Sequence, residues 1–288
     1  MHTITENDIE LICLEYLEKL GYGIMSGPDI SPEGIFQERD HSEVVLKGRL
    51  VDAVQRLNPA IPFDAREEAI KKVIRVSTIH LLSDNEVFHI FMTEGVPVEF
   101  RTSEGIRGDT VHLIDFDNPE NNEFLAVNQF TVVENNINKR PDIVIFVNGL
   151  PLVVIELKNP TDAGATVRTA FNQLQTYKEV IPALFTYNAL LIASGSWEAK
   201  SSTITSDWSR FLPWKTHDGS TTAESTVPQV EVMFKGMLQK ATLLDLIRHF
   251  IVFESNNDKT SKKIAAYHQY YAVNKAVQTT NDAAGKDG

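Results

Sequence analysis

The chain has 288 residues but a single cysteine, Cys13, so it cannot form a disulfide within itself. One unpaired cysteine is typical of proteins in a reducing compartment. No apolar run approaches the ~20 residues of a membrane-spanning helix, and the first residues lack the basic and apolar regions of a signal peptide. Cysteine and histidine pairs with zinc-site spacing are also missing. We therefore expect a cytoplasmic protein with no membrane partner.

The sequence also lacks Gly-x-x-x-x-Gly-Lys-Ser/Thr, the phosphate-binding loop of many ATPases. We therefore expect no ATP hydrolysis by this chain alone. Its 42% hydrophobic and 23% charged residues are ordinary for a globular protein, and its length suits one large domain, or one domain and a fragment.

Positive charge is scarce, since the formal net charge is −12. Proteins that bind DNA unaided are usually basic, because contacts from lysine and arginine to phosphates supply most of the non-specific affinity. A role on DNA would therefore require that the DNA be held mainly by other domains or subunits.

The most informative segment runs from Arg140 to Lys158. Two apolar runs flank Asn148-Gly149, which is a strong signal for a β-hairpin. A three-residue loop at residues 148–150 would place Asp142 opposite Glu156. Directly opposed residues have Cβ atoms roughly 5 Å apart, so the two carboxylates could share one cation.

Two ionised carboxylates this close repel each other unless a divalent metal lies between them. Oxygen atoms from Asp142, Glu156 and the backbone carbonyl of Leu157 would suit Mg²⁺. Lys158 would then place a water for attack on a phosphodiester and neutralise charge on the phosphate. The alternative is a hairpin with one wet face, whose Glu and Lys are merely solvated. The nearly continuous apolar runs argue against it, because they are typical of strands buried on both faces.

Periodicity supplies the remaining elements. We expect helices at residues 6–20, 43–57, 64–75, 165–180 and 237–254. We expect Thr5 and Asp8 to form a capping box for the first helix, and Ser42 to cap the second. We expect strands at residues 87–92, 96–101, 110–116, 124–133, 143–147, 152–157 and 188–193.

Pro141-Asp142 followed by Glu156-x-Lys158 resembles the PD-(D/E)xK nuclease signature. Further segments are similar to the amino-terminal nuclease domain of type I restriction enzyme motor (R) subunits, in the family's order: Phe171-Asn-Gln-Leu-Gln-Thr-Tyr177, Glu38-Arg-Asp40, Glu43-Val-Val-Leu46, Leu57-Asn-Pro59, Val127-Asn-Gln-Phe130, Leu184-Phe-Thr-Tyr-Asn188 and Thr205-Ser-Asp-Trp-Ser-Arg-Phe-Leu-Pro-Trp214. The resemblance implies an α/β fold with an αβββαβ core, a mixed central sheet flanked by helices, and extra amino-terminal helices and strands.

The resemblance also implies roles for single residues. Gln173 and Tyr177, one turn apart, match the family's Q-x-x-x-Y element and would touch DNA or orient the catalytic groups, although such a pair can also be ordinary helix packing. Gln269 would read the adenine of ATP in the full-length subunit, as in superfamily 2 helicases, unless residues 262–277 are simply an amphipathic helix. Glu6 or Glu10 from the first helix is a candidate to complete the metal shell, or both are solvated acids at a helix start.

Accordingly, residues 1–258 would form the nuclease domain with a helical extension, and residues 259–288 a stub leading into a motor domain. The resemblance implies Mg²⁺-dependent cutting of double-stranded, unmethylated DNA after ATP-driven translocation, in a complex with methyltransferase and specificity subunits. A different hypothesis is a non-catalytic domain that docks the motor on that complex. We expect a positive rim around the site, formed by Arg140, Lys158, Arg168 and Lys178. A second basic group would lie at the junction with the motor domain and consists of Lys259, Lys262, Lys263 and Lys275.

Overall fold

A computed structural model describes residues 5–75, 80–158, 166–195, 197–256 and 259–284. Within these ranges no helix is long and apolar enough to cross a membrane. The helices are α1 Glu6–Lys19, α2 Lys47–Leu57, α3 Phe63–Ile74, α4 Leu81–Glu94, α5 Val167–Val180, α6 Pro182–Thr186, α7 Gln229–Met237, α8 Lys240–His249 and α9 Tyr267–Ala284. The strands are β1 Gly23–Ser26, β2 Val96–Thr102, β3 Gly105–Val111, β4 Phe124–Asn128, β5 Val132–Glu134, β6 Ile137–Lys139, β7 Ile143–Val147, β8 Leu150–Leu157, β9 Leu190–Ser194, β10 Ala199–Ser202, β11 Ile251–Asn256 and β12 Lys259–Ile264.

Six strands form a central sheet in the order β1-β4-β7-β8-β9-β10. The β1/β4 and β8/β9 pairs are parallel and the other three are antiparallel. Every residue of β7 and β8 is buried, because helices and loops cover both faces of these middle strands. The mixed sheet flanked by helices confirms the predicted restriction-endonuclease-like α/β fold.

The β7–β8 hairpin reaches the expected register by an unexpected route. Its loop has two residues rather than three, since Val147 pairs with Leu150, and both loop residues have the positive φ of a type I′ turn (52° at Asn148, 79° at Gly149). A register shift then follows, so that Ile145 pairs with Val153. The extra residue on β8 is a β-bulge, and beyond it the register is the predicted one.

The loop residue Asn148 is fully buried and serves as a hydrogen-bonding centre. Its amide Nδ2 donates to Leu113 O at 2.9 Å and to Asn122 Oδ1 at 2.8 Å. Its Oδ1 accepts from Glu123 N at 2.9 Å and from Arg56 Nη2 at 3.3 Å. The amide therefore ties the closed end of the hairpin to the segment that precedes β4.

Several predicted elements were wrong. Residues 87–92 lie in helix α4 and not in a strand, with Phe88 and Met92 buried one turn apart. Helix α2 begins at Lys47, so Ser42 is not its cap, and the helix predicted over residues 237–254 divides into α7, α8 and strand β11. A short, continuously apolar segment carries no periodicity that separates helix from strand, which explains the error at α4.

Strands β11 and β12 form an antiparallel pair that includes Lys262, which the sequence had suggested as part of a helix or of a basic motor junction. The Lys262 side chain is instead buried, and its Nζ donates to Asn85 Oδ1 at 2.8 Å and to Asn188 O at 2.7 Å. Burial lowers the pKa of Lys262 to about 7. The strand pair spans the predicted boundary after residue 258, and the division into domain and stub stays a prediction.

We expect Asn148→Ala to reduce the free energy of unfolding by about 3 kcal/mol, because it leaves buried donors and acceptors unpaired. The control is Asn135→Ala, which removes an exposed asparagine with a similar φ of 50°. That change should cost only about 1 kcal/mol, from the left-handed backbone alone. Urea unfolding measures both values, and equal losses would contradict the role of the buried amide.

The buried Lys262 predicts a pH dependence of stability. Between its folded pKa of about 7 and its ordinary value of 10.5, the unfolded chain binds a proton that the folded chain does not. Stability contributed through this residue therefore rises with pH in that window, by at most about 1.4 kcal/mol per unit. Urea unfolding from pH 6 to 9 should show the wild type gaining stability relative to Lys262→Met.

The neighbouring Lys263 provides the control, since it is half-exposed and paired with Glu254. Lys263→Met should run parallel to the wild type over the same pH range. A Lys262→Met curve that is also parallel to the wild type would show that the buried amine stays protonated.

Candidate active site

The predicted site residues meet at one edge of the central sheet. There β4 ends at Asn128, which pairs with Ile143 at the start of β7, while Leu157 at the end of β8 pairs with Ser194 at the end of β9. The pairing of Ile143 with Ile155, continued by one residue, sets Asp142 opposite Glu156. The hairpin thus brings the two carboxylates to the same edge.

Asp142 is fixed by the neighbouring strand. It is 9% exposed, and its Oδ2 accepts a hydrogen bond of 2.7 Å from the backbone N–H of Leu157. The Leu157 N–H therefore orients one candidate ligand, while the predicted role of the Leu157 carbonyl as a metal ligand stays a prediction. The next amide, Lys158 N, donates to Ser194 O at 2.9 Å and holds the end of β8 against β9.

Glu156 is a carboxyl group that is buried close to a second carboxyl group, so its ionised form is disfavoured. It is only 1% exposed, and its Oε1 accepts from Lys158 Nζ at 2.6 Å. Its Oε2 is buried and has no hydrogen-bond partner among the described residues. Burial first, and the charge of Asp142 second, raise the pKa of Glu156 to about 8, against the opposing effects of Lys158 and, more weakly, of the nearby Tyr177 hydroxyl.

Gln173 and Tyr177 approach the same carboxylate from α5. The helix starts with a capping box between Thr166 and Thr169, and Gln173 Nε2 donates to the Tyr177 hydroxyl at 2.6 Å. Burial raises the pKa of Tyr177, and the charge of Glu156 raises it further, because the hydroxyl lies next to that group. The structure thus sets Gln173, Tyr177, Glu156 and Lys158 in one continuous row of polar groups.

Glu10 on α1 also lies at this edge, although the side chain of Glu6 is outside the described residues. Glu10 is 3% exposed, with Oε1 accepting from Asn128 Nδ2 at 2.6 Å and Oε2 accepting from the Gln129 side chain. The backbone N–H of Gln129 donates to Asp142 O at 2.8 Å. Sequence reasoning did not assign Gln129 to the site, and its signal was a polar Asn-Gln pair directly after an apolar strand.

The donor set fits a hard divalent cation. Asp142 and Glu156 offer carboxylate oxygens, which Mg²⁺ and Mn²⁺ prefer. A cation beside Glu156 would account for its buried oxygen without a hydrogen bond. Among the described residues no three acidic, histidine or cysteine side chains group closely enough to hold a metal. The protein ligands available to a metal are therefore the side chains of Asp142 and Glu156, and Glu10 as a third ligand stays a prediction.

The predicted positive rim is only partly presented to solvent. Arg140 and Arg168 are exposed, and Arg168 lies over the Phe171 and Trp208 rings. Lys178 donates its Nζ to Ile204 O at 2.6 Å, so it is committed to the protein's own backbone.

Gln269 lies in the first turn of α9, away from the carboxylate pair in sequence. Its side chain is exposed, and Oε1 accepts from Ala266 N at 2.9 Å, so in this structure it caps the start of the helix. Its predicted contact with the adenine of ATP stays a prediction.

A restriction-endonuclease-like fold with a carboxylate pair and a lysine on its central hairpin defines the class of the protein. Residues 3–210 match the family model described as the type I restriction enzyme R protein N terminus. The chain belongs to this family, as the sequence motifs predicted.

Curated relatives agree with this assignment. The chain is 40% identical over 99% of its length to the type I restriction enzyme HindI endonuclease subunit of Haemophilus influenzae, and 30% identical over 94% to the putative MjaIXP endonuclease subunit of Methanocaldococcus jannaschii. It covers 28% and 27% of those proteins. The chain therefore spans less than a third of the length of these two relatives.

The raised pKa of Glu156 predicts a second pH dependence. Without divalent metal, the folded chain keeps a proton that the unfolded chain releases between pH 4.5 and about 8. This carboxyl therefore costs stability as pH rises through that window, by at most about 1.4 kcal/mol per unit. In urea unfolding with EDTA, Glu156→Gln should gain stability relative to the wild type from pH 5 to pH 8.

Glu231 is a control of opposite sign, since its hydrogen bond from Lys235 lowers its pKa. Glu231→Gln should lose a contact to an ionised group and gain nothing between pH 5 and 8. A difference between Glu156→Gln and the wild type that stays constant with pH would show that Glu156 is ionised throughout.

Proposed function

We propose that the chain is the nuclease domain of an R subunit and that it hydrolyses DNA phosphodiester bonds with Mg²⁺ held by Asp142 and Glu156. The observation that carries this proposal is the unpartnered Oε2 of Glu156, buried beside a second carboxylate and a lysine. A purely structural pair would be expected to satisfy all of its oxygens.

Each side chain then has a defined task. Leu157 N–H holds Asp142 in its ligand orientation. Bound Mg²⁺ would supply the Lewis acidity that activates water and phosphate. Lys158, whose Nζ lies 2.6 Å from Glu156 Oε1, would orient the attacking water and stabilise negative charge on the phosphate. Tyr177, itself held by Gln173, lies next to Glu156 and adds a hydroxyl to the site.

The activity of the whole subunit is part of the same proposal. In it, the motor domain of the full-length subunit translocates double-stranded DNA with ATP, and methyltransferase and specificity subunits restrict cutting to unmethylated foreign DNA in the cytoplasm. The net charge of −12 supports this division of labour, because a domain with weak DNA affinity needs other parts to deliver its substrate.

The same charge favours a second candidate, a docking domain that has kept the fold and lost the reaction. In that case Glu156 and Lys158 would be a permanent ion pair that never opens to admit a metal. The two candidates differ in whether the carboxylate pair binds Mg²⁺ or Mn²⁺.

Titration calorimetry with Mn²⁺ and Mg²⁺ tests the carboxylate pair directly. Asp142→Asn and Glu156→Gln keep the shape of each side chain and remove its charge, so either should weaken metal binding at least about tenfold. Glu99→Gln, on the exposed side of β2, is the matched control and should bind metal like the wild type.

Equal binding by all four proteins, repeated with a phosphorothioate duplex that could complete the shell, would favour the docking candidate. If the pair binds metal, Lys158→Met in the full-length subunit complex should still bind it while DNA cleavage falls by at least about a hundredfold. Cleavage that survives Lys158→Met would refute the role given to this lysine.

A further inference from the structure

Between β4 and β7 the chain makes an excursion that we name the hairpin arm, residues 132–140. Strands β5 and β6 pair in it from Val132 opposite Lys139 to Glu134 opposite Ile137. Arg140 ends the arm, and only Pro141 separates it from Asp142. A molecule bound to the arm would therefore lie next to a proposed metal ligand.

The arm is pre-formed. Its two turn residues, Asn135 and Asn136, have φ of 50° and 64°, as a tight type I′ turn requires. The Val133 N–H donates to His41 O at 2.9 Å, and Glu134 Oε2 accepts from Ala183 N at 3.0 Å. The β5 strand is therefore anchored on two neighbouring segments, while the turn and β6 face solvent.

The exposed surface of the arm consists of hydrogen-bond donors. Asn135, Asn136, Asn138 and Arg140 are exposed and Lys139 is half-buried, and none of their side chains has a polar partner among the described residues. Several other cationic groups of the chain are instead paired with acids, namely Arg49, Lys71, Lys235, Lys240 and Arg248. The one acid of the arm, Glu134, is occupied by α6.

We infer that the hairpin arm binds the sugar–phosphate backbone of duplex DNA beside the carboxylate pair, with Arg140 and Lys139 on phosphates and the asparagines on adjacent backbone oxygens. Asparagine, lysine and arginine are all among the side chains that contact DNA backbones. This inference rests on the proposed function for the identity of the polymer. The arm extends the predicted positive rim by placing Lys139 beside Arg140, in a chain whose net charge is −12.

The dimensions suit this partner. At ~3.3 Å per residue, Arg140 lies ~7 Å from Asp142 along the chain and the turn lies ~20 Å away, which is about the width of a duplex. A protein partner fits less well, because Ile137 is the only large apolar side chain that the arm exposes, and protein interfaces need an apolar centre.

The first test is binding of a fluorescent 20-base-pair duplex to the full chain at low salt in EDTA. The double change Lys139→Gln with Arg140→Gln should weaken binding by at least about tenfold. It should also reduce the slope of log Kd against log salt by about 2, since each phosphate contact contributes about 0.9. A merely structural effect would not change the salt slope.

The β2–β3 hairpin gives a matched control, because it is also a two-stranded element with exposed arginines. Arg101→Gln with Arg107→Gln removes the same charge and should change Kd by less than about twofold and leave the slope unchanged. Equal effects of the two double changes would overturn the inference, since the binding would then follow net charge alone. No binding by the wild type would overturn it as well.

The second test uses the buried Cys13, which leaves an introduced thiol as the only reactive one. A photocrosslinker on Asn136→Cys should attach to the duplex, and one on Ser103→Cys at the β2–β3 turn should not. In the full-length complex, crosslinking to another subunit instead of DNA would refute the inference and identify the arm as a protein-docking element.

Both tests are run without divalent metal, so their outcomes are independent of the metal site. Arm-dependent binding together with a failed metal titration would refute the proposed hydrolysis and keep the arm. Metal binding without arm-dependent DNA binding would refute the arm alone.

Discussion

The burial of Glu156 beside Asp142 is the interaction on which the geometry of the site depends. Two carboxylates at 1% and 9% exposure repel each other, and removing them from water adds a desolvation cost. The chain compensates with Lys158 Nζ and the Leu157 N–H, one on each carboxylate. Because Oε2 of Glu156 is left without a hydrogen bond, the compensation is incomplete in the protein alone. A bound cation would remove both the repulsion and the unsatisfied oxygen.

This pairing depends on a single extra residue in β8. Without the bulge, the two-residue turn would continue its own register and set Asp142 opposite Ile155 instead of Glu156. Side chains alternate faces along a strand, so a slip of one residue would point the two carboxylates to opposite faces of the sheet. The bulge lies near the turn, where the hydrogen bonds of the buried Asn148 hold the chain. It is therefore distant from the two carboxylates, but it sets the strand register that pairs them.

Sequence reasoning predicted the mixed α/β fold, the hairpin and the family, because these follow from apolar patterning and short motifs. The geometry of the turn could not be predicted from the sequence. A two-residue loop followed by a bulge and a three-residue loop both place Asp142 opposite Glu156. Sequence reasoning also missed α4, whose apolar stretch has no clear period, and the burial of Lys262, whose partners Asn85 and Asn188 are distant in sequence. Gln129, with a positive φ of 54°, is likewise defined by its tertiary contacts.

The acidity of the chain and the cationic arm are consistent with each other. Several cationic side chains neutralise acids within the fold and the net charge is −12, so the surface as a whole repels DNA at a distance. Screening confines this repulsion to about 10 Å at 0.1 M salt. Contacts from the arm then act only on a duplex that is already close. In the proposed function, a motor domain in the same polypeptide raises the local concentration of DNA, and weak contacts suffice under that condition. The same weakness would keep the nuclease from cutting DNA that it meets by diffusion alone.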